Sequence, residues 1–147
     1  MIKIICVGKL NQKYLNEGIL YYQKQIPLKT EIIEVMDEST IQGMSLESDR
    51  ILSKIKDTDY VILLAIEGKM ESSESFAKIF DDITTYQQGD IVFIIGGSYG
   101  VHQHVYDRSN KKLSFSKMTF PHQLMRLMLM EQIYRAMMIL KNHPYHK

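Results

Sequence analysis

Cysteine occurs once in this sequence, proline three times, and acidic residues almost vanish from the last quarter. A lone cysteine excludes a disulfide framework. Cys6 stands in the apolar run Ile4-Ile5-Cys6-Val7, where a small core residue in a reducing compartment is a simpler reading than a nucleophile. No stretch joins a basic start, an apolar core and a small-residue cleavage site. The most apolar segment, Leu124 to Leu140, is interrupted by Arg126, Glu131 and Arg135. We therefore expect a soluble, cytoplasmic protein without a transmembrane helix. Repeats, linkers and low-complexity tracts are also missing, so residues 1–147 are expected to form one domain with its own core. Neither G-x-G-x-x-G nor G-x-x-x-x-G-K followed by Ser or Thr is present, which makes a dinucleotide oxidoreductase and a P-loop enzyme poor fits.

The formal net charge of +1 hides a division along the chain. Residues 1–107 hold 10 Lys+Arg against 16 Asp+Glu, a balance of −6, whereas residues 108–147 hold 8 against Glu131 alone, a balance of +7. Such segregation suggests that the C-terminal quarter faces a polyanion, the alternative being a merely solvated basic surface.

Apolar periodicity predicts alternating strands and helices. Met1 to Val7 reads as a strand closed by Gly8. Leu10, Tyr14, Leu15, Ile19 and Tyr22 give a helix over 10–25 that Pro27 stops, and Glu31 to Val35 is a short strand. A polar, turn-rich stretch, Asp37 to Ser45, precedes a short helix over 46–56. Tyr60 to Ile66 is the continuous apolar run of a central parallel strand, ending in Glu67-Gly68-Lys69. Ser72 or Ser73 can cap a helix through Phe76, Ile79, Phe80 and Ile83, and Ile91 to Ile95 returns to the sheet. A short helix with Val101 and Val105, a strand over 112–115 and an apolar helix over 121–140 complete the order. The expected fold class is α/β, a mostly parallel sheet with helices on both faces. The last helix is apolar on nearly every side, which points either to self-association or to a wholly buried core helix.

Two loops at strand ends are candidates for a ligand site: Gly96-Gly97-Ser98-Tyr99-Gly100 after one strand and Phe115 to Phe120 after another. Together with Leu64 to Gly68 they could line a small-molecule pocket, although the glycines alone could equally make a tight turn. His102-x-His104 and His143-x-x-His146 lack a neighbouring cysteine or acidic pair, so no metal is expected. Arg135, Tyr145 and His146 offer a cation for an anionic ring, a stackable aromatic and a base that titrates near neutrality, which is what chemistry on a nucleobase needs. Read plainly, Arg135 pairs with Glu131 one helical turn away and Tyr145 packs the tail down.

Four ordered motifs carry a family resemblance: Ile94-Ile95-Gly96-Gly97-Ser98-x-Gly100, Leu113 to Gln123 with Arg126, Glu131-Gln132-x-Tyr134-Arg135-Ala136, and His143-Pro144-Tyr145-His146. With Val7-Gly8-Lys9 and Glu67-Gly68-Lys69 they span nearly the whole chain. The sequence resembles the ribosomal RNA large subunit methyltransferase H family, small SPOUT-class enzymes that methylate N3 of a pseudouridine in bacterial 23S ribosomal RNA. The resemblance implies a C-terminal trefoil knot, a bound S-adenosyl-L-methionine, and a homodimer with active sites at the subunit boundary that acts on large-subunit RNA in the ribosome. By motif, the cofactor-contacting positions are Leu64, Gly96, Phe115, Ser116, Lys117, Met118, Thr119 and Phe120. Catalytic candidates are Arg135, Tyr145, His146 and His122, and RNA-side candidates are Arg126, His143 and Lys147. The segment around Asp37 to Asp49 is shorter than the family usually has, which leaves open a non-catalytic ribosome- or RNA-binding module that keeps the fold.

Overall fold

The structure is a computed structural model describing residues 1–38, 40–97 and 99–147; Ser39, in the turn-rich stretch, and Ser98, in the glycine loop, lie outside the described residues. Strands and helices alternate: β1 (Ile2–Val7), α1 (Lys13–Gln25), β2 (Thr30–Val35), a 3-10 turn (Ile41–Gly43) leading into α2 (Met44–Leu52), β3 (Tyr60–Met70), α3 (Ser73–Tyr86), β4 (Ile91–Ile95), α4 (Gln103–Arg108), β5 (Lys111–Ser114) and α5 (His122–Leu140). The strands form one sheet in the order β2-β1-β4-β3-β5, and every neighbouring pair is parallel.

Because side chains alternate across a strand, continuous apolar runs supply a core to each face. Ile2, Ile4, Cys6, Ile62, Phe93 and Ile95 point to the side where α1, α3 and α5 pack. Ile5, Val7, Val61, Leu63, Val92 and Ile94 point to the other side, with Ile51 of α2 and Val105 of α4. The expected α/β class with both faces covered is what the sheet shows. Ser72 caps α3, its hydroxyl accepting from the Ser75 N–H at 3.0 Å.

Three boundaries differ from the sequence reading by three residues or more. α1 begins at Lys13 rather than Leu10, because the Leu10 N–H is drawn to the Glu34 carboxylate at 2.8 Å. α2 ends at Leu52, four residues early, in a turn closed by Lys54 N–H to Ile51 O and Ile55 N–H to Leu52 O. β3 does not stop at Ile66. Leu64 and Lys69 both oppose Leu113 of β5, so residues between them bulge and the strand then re-pairs as far as Met70. Gly68 permits this, since a Cβ there would lie 2.8 Å from the Leu113 backbone.

α5 packs between α1 and α3 and buries Arg126, Leu129, Met130, Ile133, Tyr134, Ala136, Met137 and Met138. Its remaining apolar side chains are half-buried except for Leu140. One chain therefore covers more of this helix than its all-round apolarity suggests. Among the described residues no helix is long and apolar enough to cross a membrane.

Candidate active site

Leu64 lies in register between Ile95 of β4 and Leu113 of β5, so the bulge of β3 sits beside the carboxyl ends of β4 and β5. A cavity of about 250 Å³ opens there. Leu64 and Ala65 form one wall, Gly96, Gly97 and Gly100 a second, and Phe115, Ser116, Met118, Thr119 and Phe120 a third, with His122 and Met125 from the start of α5. This is the crevice position where open α/β sheets bind ligands. Of the residues expected to hold a cofactor only Lys117 does not line it; that side chain is exposed.

Local hydrogen bonds shape the loops. Ser116 Oγ accepts from Met118 N–H at 3.0 Å, Ser114 Oγ donates to Ser116 O at 2.9 Å, and Gly100 N–H donates to Gly97 O at 3.0 Å. At Gly96 the close approach is made by the loop itself, since a Cβ there would lie 2.9 Å from Val101 and 3.1 Å from Gly100 O. Buried Ser48 of α2 holds the next turn by accepting from His102 N–H at 3.0 Å. Among the described residues Glu67 is the only acidic side chain of the lining. A hydrogen bond from Tyr106 holds its carboxyl below the usual range, while burial and that bond push the Tyr106 hydroxyl up to about 12, so the pair is carboxylate and phenol at neutral pH.

Arg135, Tyr145 and His146 come together further along α5. Arg135 donates to Glu131 Oε1 through Nε at 2.8 Å and pairs through Nη2 at 2.6 Å, and its guanidinium lies 4.8 Å from the Tyr145 ring centroid. Tyr145 donates to the same carboxylate oxygen at 3.0 Å and meets Tyr22 at 3.4 Å between hydroxyls; burial, Tyr22 and Glu131 together raise its pKa. His146 Nδ1 is 3.0 Å from Arg135 Nη1 and its Nε2 is 2.6 Å from Glu74 Oε1. A guanidinium only donates and a carboxylate only accepts, which assigns the imidazole proton to Nε2 and the lone pair to Nδ1. Both readings of Arg135 thus coexist, as Glu131 partner and as part of a cluster. Thirteen residues of helix separate it from His122, about 20 Å at 1.5 Å per residue.

Arg126 corrects an expectation. The family motif puts it on the RNA side, yet it is 1% exposed and its Nη1 and Nη2 donate to Glu34 at 2.6 Å and Gly8 O at 2.8 Å, tying α5 to the ends of β1 and β2. His143 Nδ1 accepts from Tyr145 N–H at 3.1 Å, and Lys147 is exposed. The His102 pair has a similar local use, with His102 Nδ1 accepting from His104 N–H at the start of α4. Among the described residues no group of three potential ligands is placed to hold a metal. Burial pushes the Cys6 thiol up to about 12, far from a thiolate nucleophile.

A family model described as "Predicted SPOUT methyltransferase" matches residues 1–146. The chain belongs to the SPOUT methyltransferase family. Similar proteins named ribosomal RNA large subunit methyltransferase H occur in Acholeplasma laidlawii, 58% identical over 147 residues, and in Streptococcus uberis, 52% identical over 157, with 99% of this chain and of each relative covered. The second alignment is longer than this 147-residue chain, so gaps open in it. A solved methylase-family structure from Haemophilus influenzae Rd KW20 shares the fold, with a TM-score of 0.59 at 13% identity over 99% of this chain and 70% of that one.

A SPOUT methyltransferase requires a methyl donor, and the strand-end cavity suits S-adenosyl-L-methionine. Leu64, Met118 and Phe120 offer apolar surface to an adenine, strand-end backbone offers polar groups to its edge, and Glu67 offers a carboxylate to the cationic end. Sequence reasoning named Glu67 as pocket lining and Glu131 as the partner of Arg135, but missed Tyr106, Glu74, Gln132 and Tyr22 as neighbours of the site, because their contacts with Glu67, His146, Ser73 and Tyr145 join segments remote in sequence.

Proposed function

We propose that this SPOUT methyltransferase transfers a methyl group from S-adenosyl-L-methionine to N3 of a pseudouridine in large-subunit ribosomal RNA, acting on the ribosome in the cytoplasm as a homodimer. The observation that carries the reading is the clustering of Tyr145 and His146, from the tail, around Arg135 of the helix whose first turn lines the strand-end cavity. The names of the full-length relatives support it. The C-terminal part of the chain is read as a trefoil knot, as the resemblance implies.

When bound, S-adenosyl-L-methionine supplies an electrophilic methyl on a sulfonium centre that leaves as a neutral thioether. Leu64, Phe115 to Phe120 and the Gly96 backbone orient it and exclude water. N3 of a pseudouridine carries a proton at neutral pH, so the protein must remove it. His146 takes that proton at Nδ1 once the ring N–H replaces the Arg135 N–H there, and Glu74 steadies the imidazolium through Nε2. Arg135, released from Nδ1, faces the negative charge that the ring acquires. The ring nitrogen's lone pair then forms the new N–C bond. About 20 Å of helix separates Arg135 from His122, and the resemblance implies that a cluster reaches the mouth of each cavity at the subunit boundary. RNA contact falls to His143 and Lys147, with His122 at the rim.

Transfer of labelled methyl to intact ribosomes with and without the pseudouridine, followed by mapping of the base, tests this reading. We expect methylation at that base, lowered by about 10²-fold or more in Arg135→Ala and His146→Ala with cofactor affinity intact. Normal rates in either variant overturn the role given to that residue. Absence of both transfer and calorimetric cofactor binding overturns the enzyme reading in favour of an RNA-binding module.

A further inference from the structure

Between α3 and α5 lies a second cavity, of about 480 Å³, within the size range of small-molecule sites. It meets the cofactor cavity at Leu113 and Phe115, which line both, and it meets the tail cluster at Glu131 and Tyr22. It thus shares a wall with the methyl-donor site on one side and adjoins the contacts of Tyr145 on the other. Phe76, Phe115 and Tyr22 supply ring faces, and Gln132 and Ser73 supply an amide and a hydroxyl. Among the described residues no cation lines it. That composition suits a flat, uncharged heterocycle with a polar edge rather than a phosphate or a sugar.

The Gln132 amide has a defined orientation. A carboxylate only accepts, so Nε2 faces Glu131 Oε2 at 2.9 Å, while Oε1 accepts from Ser73 Oγ at 2.9 Å. Among the described residues the amide has no further partner, which leaves one N–H and one Oε1 lone pair. A donor beside an acceptor on a planar amide complements a ring edge that presents N–H beside C=O. A pseudouridine has that edge at N1–H and C2=O, next to N3 but leaving N3 open. Uridine carries a C–H at the matching position, because its N1 is bonded to the sugar.

We infer that the cavity between α3 and α5 receives the target base and that Gln132 reads its N1–H/C2=O edge, making it the residue that distinguishes pseudouridine from uridine. This rests on the methyltransferase reading above. Ser73 is a positioning residue that holds the amide in register, and Glu131 links the reader to Arg135. Replacing the N–H of the ring by C–H leaves the second lone pair of Oε1 without a partner in a half-buried site, a penalty that hydrogen-bonding pockets convert into discrimination.

The test compares full-length protein and its Gln132→Leu and Gln132→Glu variants on ribosomes that carry pseudouridine or uridine at the target position. For the unaltered protein we expect kcat/KM to favour pseudouridine by about tenfold or more. In Gln132→Leu that ratio falls to near one, with cofactor affinity and oligomeric mass unchanged. Gln132→Glu keeps an acceptor for N1–H and retains an intermediate preference, which guards against misfolding of the leucine variant. An unchanged ratio in Gln132→Leu overturns the inference, whatever the absolute rate, as does equal use of both ribosomes by the unaltered protein. Failure of the unaltered protein to methylate either ribosome overturns the function reading instead.

Discussion

Arg126 carries a full charge at 1% exposure, and its Nε is the one buried side-chain polar atom among the described residues that has no partner. Among the described residues Glu34 is its only carboxylate partner, and that side chain is 38% exposed. The two halves of this pair should therefore respond differently to removal. Glu34→Ala strands a buried guanidinium and should destabilise by about 3 kcal/mol, whereas Arg126→Met leaves a carboxylate that water can reach and should cost about 1 kcal/mol. Denaturant unfolding of the two variants checks the order. Burial raises the Glu34 carboxyl, but hydrogen bonds from Arg126 and the Leu10 N–H more than reverse this and hold it below its ordinary 4.5. A depressed folded-state value means that the contribution is complete above 4.5 and is lost as pH falls through the lowered value. In Glu34→Gln the decline in melting temperature between about pH 5 and pH 3 should be shallower by this one group's share.

β3 is the element on which the strand-end cavity depends. Its central part pairs with β4 on one side and β5 on the other, and its bulge lets the Leu64 to Glu67 stretch line the cavity before the strand re-pairs. Gly68 is the position that admits the close approach of β5. A valine there meets backbone rather than a flexible side chain, so β5 must move. We expect Gly68→Val to destabilise by about 1–3 kcal/mol and to weaken cofactor binding, since Phe115 to Phe120 follow β5 directly. Chemical denaturation and calorimetry with S-adenosyl-L-methionine measure the two effects. Full cofactor affinity in a folded Gly68→Val protein would count against the wall assigned to β5. The bulge left no trace in the sequence beyond a single glycine, because a register shift belongs to a pair of strands and not to either alone.

At the scale of the whole molecule, the basic C-terminal quarter is partly spent within the fold. Arg126 and Arg135 pair with Glu34 and Glu131, Lys111 with Glu71, and Arg108 donates to Lys56 O and Asp59 O. Lys117, Lys141 and Lys147 remain exposed. A +7 balance therefore overstates the free positive charge of one chain, and the proposed homodimer would double the exposed lysines on offer. Ribosome affinity should fall about tenfold or more between roughly 50 and 200 mM salt, while cofactor affinity changes little. Replacing Lys117, Lys141 and Lys147 by alanine should flatten that dependence by about one unit of log–log slope for each phosphate that is no longer neutralised. Equal salt sensitivity of the two ligands would remove the basic-tail account.

The sequence by itself determined the alternation of strands and helices, the two-faced burial of the sheet, the loops at Gly96 and at Phe115 to Phe120 that line the strand-end cavity, and the grouping of Arg135 with the tail. Each of these is a local pattern: a period of two or 3.6, a glycine run after an apolar run, or a motif whose spacing is kept. Only the tertiary structure decided that Arg126 is buried by Glu34, that β3 continues through a bulge, that Glu67 is held by Tyr106, and that Gln132 faces a second cavity. These are pairings across 92, 39 or 59 residues of chain, between Arg126 and Glu34, Tyr106 and Glu67, and Gln132 and Ser73. No periodicity within one segment records them, because the partner that satisfies a buried polar group is chosen by packing in three dimensions.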